Sequence, residues 1–425
     1  MTTSETTDTR PRCPMAPPEF DPLSEAALRD PASMYTTARE KSPVFWSDLI
    51  QSWVFTRYDD VFRYLNEPEL FGTPVEGQIT VPDEFVDRFS PELPSKMMTA
   101  MDPPVHTPPK KAVQQGFLRP NILKLEPRIT ARANALIDEM IAAGTECDLM
   151  TSYSDPLTMH TLMGLLDLPM EEAEAIWNLG ESSIRVLSSS QIPMDEPERS
   201  QVWRAYVEGQ EHLYQIIDER TANPGDDIIS IMAAQLDDEG CPALTRERIA
   251  QHIAEIAFAG HDTTAQLMTN MVIYLSEHRD QLALAVDNPK LWPNVVEETL
   301  RRRPSAPFAA RRALRDVVVS GIQIRKGDNV WFALASASND PAHYDNPVEF
   351  DVQRRRPMDH VAFGRGPHTC PGAPLGRSQA AIGVRTLFER LPDLRVADDY
   401  SLDFAPLVII PKRNSLQVHW TSPRH

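Results

Sequence analysis

Cys370 stands in the run Phe363-Gly364-Arg365-Gly366-Pro367-His368-Thr369-Cys370-Pro371-Gly372. The glycines let the backbone take positive φ and come close to a ligand. The prolines stiffen the turn and remove competing N–H donors. Past the cysteine, Val384, Leu387, Phe388 and Leu391 fall at i, i+3, i+4 and i+7, which predicts a helix. A thiol in a loop before a helix has backbone N–H groups and a helix dipole directed at it, and both favour the thiolate. No second cysteine lies nearby, which disfavours a zinc knuckle. One thiolate supplied alone from a rigid loop suits the axial position of a haem iron. The alternative for a lone cysteine is a small buried hydrophobe.

A second run with chemical content is Ala259-Gly260-His261-Asp262-Thr263-Thr264. It lies inside a long apolar pattern over residues 246–277, with Ile249, Ile253, Ile256, Leu267, Met271 and Leu275. A helix of about 30 residues would run about 45 Å, enough to cross a domain. Glycine, aspartate and threonine are poor helix formers, and clustering them inside a good helix suggests a distortion kept for function. A threonine hydroxyl can bond the i−4 carbonyl and bend the helix. The alternative is a kinked core helix.

The cysteine loop resembles the haem-binding loop of the cytochrome P450 family. The family pattern Phe-Gly-x-Gly-x-His-x-Cys-x-Gly is met at every fixed position, beginning at Phe363. The resemblance implies that Cys370 is the proximal ligand of the iron of haem b. The run at 259–264 is similar to the family's oxygen-activation motif, Ala/Gly-Gly-x-Asp/Glu-Thr. By that likeness Ala259 and Gly260 leave room above the haem for dioxygen. Thr263 would hydrogen-bond the oxygen and Asp262 would relay protons from solvent, an acid and a hydroxyl forming a short relay. His261 and Thr264 are read as structural and pointing elsewhere.

Further motifs follow in the family's order. Glu298-Thr299-Leu300-Arg301 resembles the Glu-x-x-Arg core motif, and Arg354 matches its partner. The three would form a buried charge network. Arg311 matches an arginine that pairs a haem propionate, with Arg312 as a rival one residue away; an arginine fork binds carboxylate bidentately. His106 and Lys110 match a His-x-x-x-Arg propionate pair, except that lysine replaces arginine and loses the fork. His368 completes the set. By resemblance the substrate pocket would be lined by Ile79, Val81, Phe85, Phe89, Met97 and Met98, by Phe308, and by Leu407 and Val408. These are apolar, which points to a small or medium hydrophobic substrate. Arg185 is expected to face solvent, with a substrate ion pair as the alternative.

The 425 residues include 42 Lys+Arg and 61 Asp+Glu, a net charge of −19. Such a chain is a poor nucleic-acid or anionic-membrane binder overall. No apolar run reaches the roughly 18 residues of a transmembrane helix. Residues 1–30 are polar and proline-rich and do not look like a signal peptide or anchor. Cys13, Cys147, Cys241 and Cys370 lack a pairing rhythm, which fits a reducing cytoplasm.

Residues 44–57 and 317–334 read as short strands, and residues 120–310 as largely helical. Asp227, after Asn223-Pro224-Gly225-Asp226, reads as a helix cap. Residues 1–20 are expected to be a loose tail and residues 21–425 a single cytochrome P450-like domain, mainly α with small β-sheets. The expected activity is that of a soluble bacterial-type monooxygenase. Electrons would come from NAD(P)H through a separate ferredoxin and reductase, since no Gly-x-Gly-x-x-Gly fingerprint is fused here. The alternatives are a peroxide-driven haem enzyme, a haem sensor without chemistry, and a hydrolase using Cys370 as nucleophile. The intact Asp262–Thr263 pair argues against the first two. The cations Lys110, Lys111, Arg119, Arg365 and Arg377 are expected on the face over Cys370, as a docking patch for an acidic ferredoxin.

Overall fold

Thr245 starts the longest helix by accepting the Arg248 N–H on its Oγ1 at 3.3 Å, and Glu247 sits in the first turn against the helix dipole. The structure, a computed structural model, describes residues 14–74, 81–88, 97–189, 194–236, 240, 242–398, 400, 411 and 413–421. Its helices are α1 Glu25–Arg29, α2 Thr36–Lys41, α3 Tyr58–Tyr64, α4 Thr107–Gly116, α5 Arg119–Ala143, α6 Asp155–Leu166 and α7 Ala173–Ser188. They continue as α8 Glu198–Ala222, α9 Ile228–Ala233, α10 Arg246–Glu277, α11 Arg279–Asp287, α12 Trp292–Arg302, α13 Leu334–Ala337 and α14 Ala373–Arg390. The strands are β1 Val44–Ser47, β2 Ser52–Phe55, β3 Phe71–Gly72, β4 Glu146–Asp148, β5 Phe308–Ala313, β6 Val317–Val319, β7 Ile322–Ile324, β8 Asn329–Ala333, β9 Arg395–Val396 and β10 Gln417–His419. The chain is one mainly helical domain with small sheets, as expected.

Helix α10 is buried over most of its surface, so it is a core helix rather than a surface one. It packs against α6, α7, α8, α12 and α14. Gly180 of α7 lets that crossing close up, since a Cβ there would lie 3.0 Å from Phe258 N. Asp227 caps α9 as expected, accepting the Ser230 N–H at 3.0 Å. Among the described residues, no helix is long and apolar enough to cross a membrane.

The five-stranded sheet has the order β1-β2-β8-β5-β3. Its core is aromatic: Phe55 meets Phe332, Phe71 and Tyr64 edge to face, with centroids 5.1, 5.6 and 5.9 Å apart. Arg311 pairs with Val330 and Arg312 with Asn329 across β5 and β8. Successive side chains of a strand point to opposite faces, so the two arginines part company there.

The segment expected to be a tail is attached from residue 14 onward. Met15 bridges Trp46, and the Ala16 N–H donates to Trp46 O at 2.7 Å. Phe20 is buried against Tyr35 and Phe45. Its large apolar ring, closing the sheet's edge, outweighs the proline-rich composition around it. Residues 1–13 lie outside the described residues.

Candidate functional site

The cysteine loop is shaped by its glycines. Gly366 has φ +67°, and a Cβ there would lie 2.4 Å from Leu65 O, so a larger residue has neither the conformation nor the room. The Cys370 N–H donates to Phe363 O at 2.9 Å, closing the loop. Backbone N–H groups of Gly372 and Ala373, at the start of α14, donate to the Cys370 sulfur. That is the expected arrangement, but its electrostatic result differs from the expectation. Burial pushes the thiol up, and those amides, Lys110 and Arg377 only partly offset it. A bound metal cation is what would hold this sulfur as a thiolate.

Helix α14 leads from the loop to α10. A Cβ on Gly376 would stand 3.6 Å from Thr264 Oγ1, so the two motifs meet within the same packing layer. Helix α10 runs unbroken through Ala259–Thr264, which corrects the expected distortion. Thr263 Oγ1 donates to Ala259 O at 2.6 Å, absorbing the hydroxyl without interrupting the helix. Ala259 and Gly260 are exposed in the middle of this otherwise buried helix, and a Cβ on Gly260 would meet nothing within 4 Å. The open face is where a flat ligand beside Cys370 would need space.

His261 is buried, turned toward α6 and α7, and also meets Asp262. Its Nδ1 lies 2.9 Å from Asp262 Oδ1, and its Nε2 lies 3.3 Å from Asp155 O and 4.0 Å from Asp155 Oδ1. Trp177 of α7 packs on the ring at 4.7 Å. The imidazole therefore bridges the Asp262 carboxylate to the start of α6.

The remaining candidates gather around Asp102. Gly72 makes this possible, since a Cβ on it would lie 2.4 Å from Asp102 Oδ2. The Asp102 carboxylate accepts the Thr73 N–H at 2.9 Å and lies 3.3 Å from His368 Nε2. His368 and His106 rings are 4.4 Å apart. Arg311 is half-buried on this side, where its Nη1 donates to Ala310 O at 2.7 Å and it is acted on by Asp102. Arg312 turns away and donates to Gly327 O at 3.1 Å. Burial, then His368 and Lys110, pushes His106 down to about 4. Arg311, His106 and His368 thus crowd around one carboxylate, and such a cluster suits a ligand bearing further carboxylates.

Lys110 is placed differently from its expected role. It is buried, and Nζ donates to Pro367 O at 2.8 Å and to Thr369 O at 2.5 Å, so it ties α4 to the cysteine loop. A flexible ammonium reaches carbonyls that a planar fork would overshoot. Of the expected docking cations, Lys110 is therefore buried, and Arg377 is held bidentately by Glu297 at 2.6 and 3.0 Å. Arg365 lies over the Phe62 ring at 4.7 Å. Lys111 and Arg119 remain exposed.

Several pocket expectations also change. Phe308 is buried against Tyr35 and Trp331 in the core beneath the sheet, where it lines a small cavity with Met34 and Pro307. Phe85 is buried in the main core beside Trp203, Val81 packs at that core's edge, and Met97 and Met98 are buried. Ile79, Phe89, Leu407 and Val408 lie outside the described residues. Arg185 pairs with Glu198 at the surface. The expected charge network is present: Arg301 Nε and Nη2 each lie 2.8 Å from the Glu298 carboxylate, and Arg354 Nε joins at 3.0 Å. Its neighbour Glu297 was missed in the sequence. It holds Arg377 of α14 and His360, which lies 3.1 Å away just before the cysteine loop.

A sequence profile of the family described as Cytochrome P450 matches residues 285–401. Cytochrome P450 107B1 of Saccharopolyspora erythraea is 31% identical over 405 residues, covering 92% of this chain and 96% of that one. Cytochrome P450 monooxygenase PikC of Streptomyces venezuelae is 30% identical over 417 residues, covering 96% of each. The structure of epothilone B-bound cytochrome P450epoK superposes with a TM-score of 0.81 at 27% identity, covering 95% of this chain and 100% of that one. The chain belongs to the cytochrome P450 family, whose members are haem b oxidoreductases, and it is a monooxygenase of bacterial type.

Proposed function

We propose that Cys370 is the proximal haem ligand and that the enzyme inserts one atom of dioxygen into a small or medium hydrophobic substrate, by hydroxylation or dealkylation. Electrons come from NAD(P)H through a ferredoxin and its reductase. The observation that carries this reading is the packing of the start of α14 on α10, which brings three features into one region of the chain. These are a sulfur receiving two helix-start N–H groups, an open small-residue face on α10, and the group of Arg311, His106 and His368 at Asp102. The epothilone B bound by the P450epoK neighbour supports a hydrophobic substrate class.

Arg311, His106 and His368 would hold the two propionates, and Lys110 fixes the loop that presents Cys370. When bound, haem b supplies the binding and reductive activation of dioxygen. The chain's part is then proton delivery. Asp155 stands at the solvent end, with its side chain 27% exposed. Its Oδ1 lies 4.0 Å from His261 Nε2, so a bridging water would bring the proton to Nε2 while Nδ1 gives one up to Asp262 Oδ1, and the Asp262 carboxyl would pass it toward Thr263 Oγ1. With its own hydrogen held by Ala259 O, Thr263 keeps its lone pairs for accepting.

Reconstitution with a bacterial ferredoxin and its reductase tests the reading, measuring dioxygen uptake and product per NADH. Thr263→Ala should still consume NADH but yield severalfold less product, with the difference appearing as hydrogen peroxide. Asp262→Asn should slow turnover about 10²-fold, the low end of what a lost proton donor costs. An unchanged product yield in Thr263→Ala removes the proposed relay.

The docking face is smaller than the sequence suggested. It centres on Lys111 and Arg119, beside the exposed Leu118 and Leu123. Charge steering of this kind is screened over about 8 Å at physiological salt. Lys111→Glu with Arg119→Glu should raise the KM for ferredoxin severalfold and leave ligand-binding spectra unmoved. A KM insensitive to both the reversal and salt would place the partner elsewhere.

A further inference from the structure

Glu255 is a carboxylate on the buried face of α10, with its side chain only 7% exposed. A charge in that position needs partners. It has them on both sides. His252, three residues earlier on the same helix, places Nδ1 at 3.1 Å. The other donors come from a single short segment: Met98 N–H at 2.9 Å, Thr99 N–H at 3.0 Å and Thr99 Oγ1 at 2.8 Å. Burial pushes the Glu255 carboxyl up, but the bonds from His252, Thr99 and Met98 outweigh it and hold it below the ordinary carboxylate range.

Those two amides open the 3₁₀ turn Met98–Ala100, whose own preceding residue, Met97, supplies no side-chain cap. Glu255 therefore caps the turn from another element, as an N-cap residue would from within. Four residues along α10 stands Ala259, so Glu255 and the open small-residue face share one stripe of the helix. Three residues past Thr99 the chain reaches Asp102, the centre of the group formed with Arg311, His106 and His368. The segment 97–102 is thus pinned at one end by Glu255 and at the other by Thr73 and His368. Met98 within it packs in the same core as Phe85.

We propose that Glu255 is a positioning residue that latches the segment Met97–Met101 over the substrate side, and so governs which ligands enter and how fast. The proposal rests on the site described under Proposed function. Releasing the latch would loosen the wall beside Ala259 without touching Cys370 or the Asp102 cluster.

The test uses the haem-loaded enzyme and two azole probes of different bulk, imidazole and 4-phenylimidazole. Glu255→Gln keeps the size but replaces one acceptor oxygen with an amide that opposes the donors. It should speed hydrogen–deuterium exchange of the Met98 and Thr99 amides at least tenfold. It should also raise the association and dissociation rates of 4-phenylimidazole severalfold, while those of imidazole change less than twofold. Thr99→Val removes only the hydroxyl donor and should shift the same readouts in the same direction by less, which covers the case of a poorly folded Glu255→Gln. Unchanged exchange at 97–101 in both variants overturns the latch, as do equal rate changes for the two azoles. The exchange arm needs no haem. A wild-type protein lacking the long-wavelength carbon monoxide band would therefore refute the proposed site while the latch is still judged by exchange.

Discussion

Cys370→Ala should lose the long-wavelength Soret band of the reduced carbon monoxide complex, and turnover should fall by ~10³-fold or more, about 4 kcal/mol of barrier. The reason is local. The Gly372 and Ala373 N–H groups converge on this sulfur, and the loop is locked by the Cys370 N–H to Phe363 O bond and by Gly366 against Leu65. Removing the sulfur deletes the only soft donor in that loop and leaves its backbone intact. Cys147 sits on β4, in the three-stranded sheet with β9 and β10. Cys147→Ser should therefore keep the band. Survival of the band in Cys370→Ala would mean that another residue holds the iron and that the proposed site is wrong.

Glu298→Ala should cost the most in stability. The carboxylate is 1% exposed and is shared by Arg301, itself fully buried, and Arg354. Removing it strands two guanidinium groups, and breaking a buried pair in this way costs about 3–5 kcal/mol. The expected result is a poor yield of haem-loaded protein and a melting temperature lower by several degrees, on a scale of roughly 2 °C per kcal/mol for a large domain. Glu298→Met combined with Arg301→Leu and Arg354→Met should recover part of the loss, because no charge is then left unpaired. A Glu298→Ala protein that melts with the wild type would show that the arginines find other partners at no cost.

Much of this was legible in the residues, and the reason differs by element. The cysteine loop was readable because glycine and proline report backbone demands directly, and Gly366 meets one that no other residue could. The long helix was readable from its apolar period, and α9 from its aspartate cap. Strand alternation parts Arg311 from Arg312, but only once the register with Val330 and Asn329 was known. The roles of Lys110, Glu297, Glu255 and His261 were not readable. Each depends on a partner from a distant part of the chain: Thr369, Arg377, Thr99 and Asp155 respectively. A charged residue in an apolar helical stripe, such as Glu255 between Ile253 and Ile256, was the available signal of a buried partner. Phe308 was misplaced for the opposite reason, since an apolar residue carries no mark to tell pocket from core.

The adjacent arginines on β5 have a consequence for assembly. A shift of one residue between β5 and β8 would exchange the faces of Arg311 and Arg312, because side-chain direction alternates with every residue. The guanidinium now turned to Asp102 would then lie on the Gly327 side, and its neighbour would take its place one step out of line with His106 and His368. Both registers offer the same backbone ladder, so backbone pairing alone discriminates weakly between them. A dianionic ligand seated among His106, His368 and Arg311 would favour only one. Such a ligand would add to the burial of Phe308, which already favours the observed register.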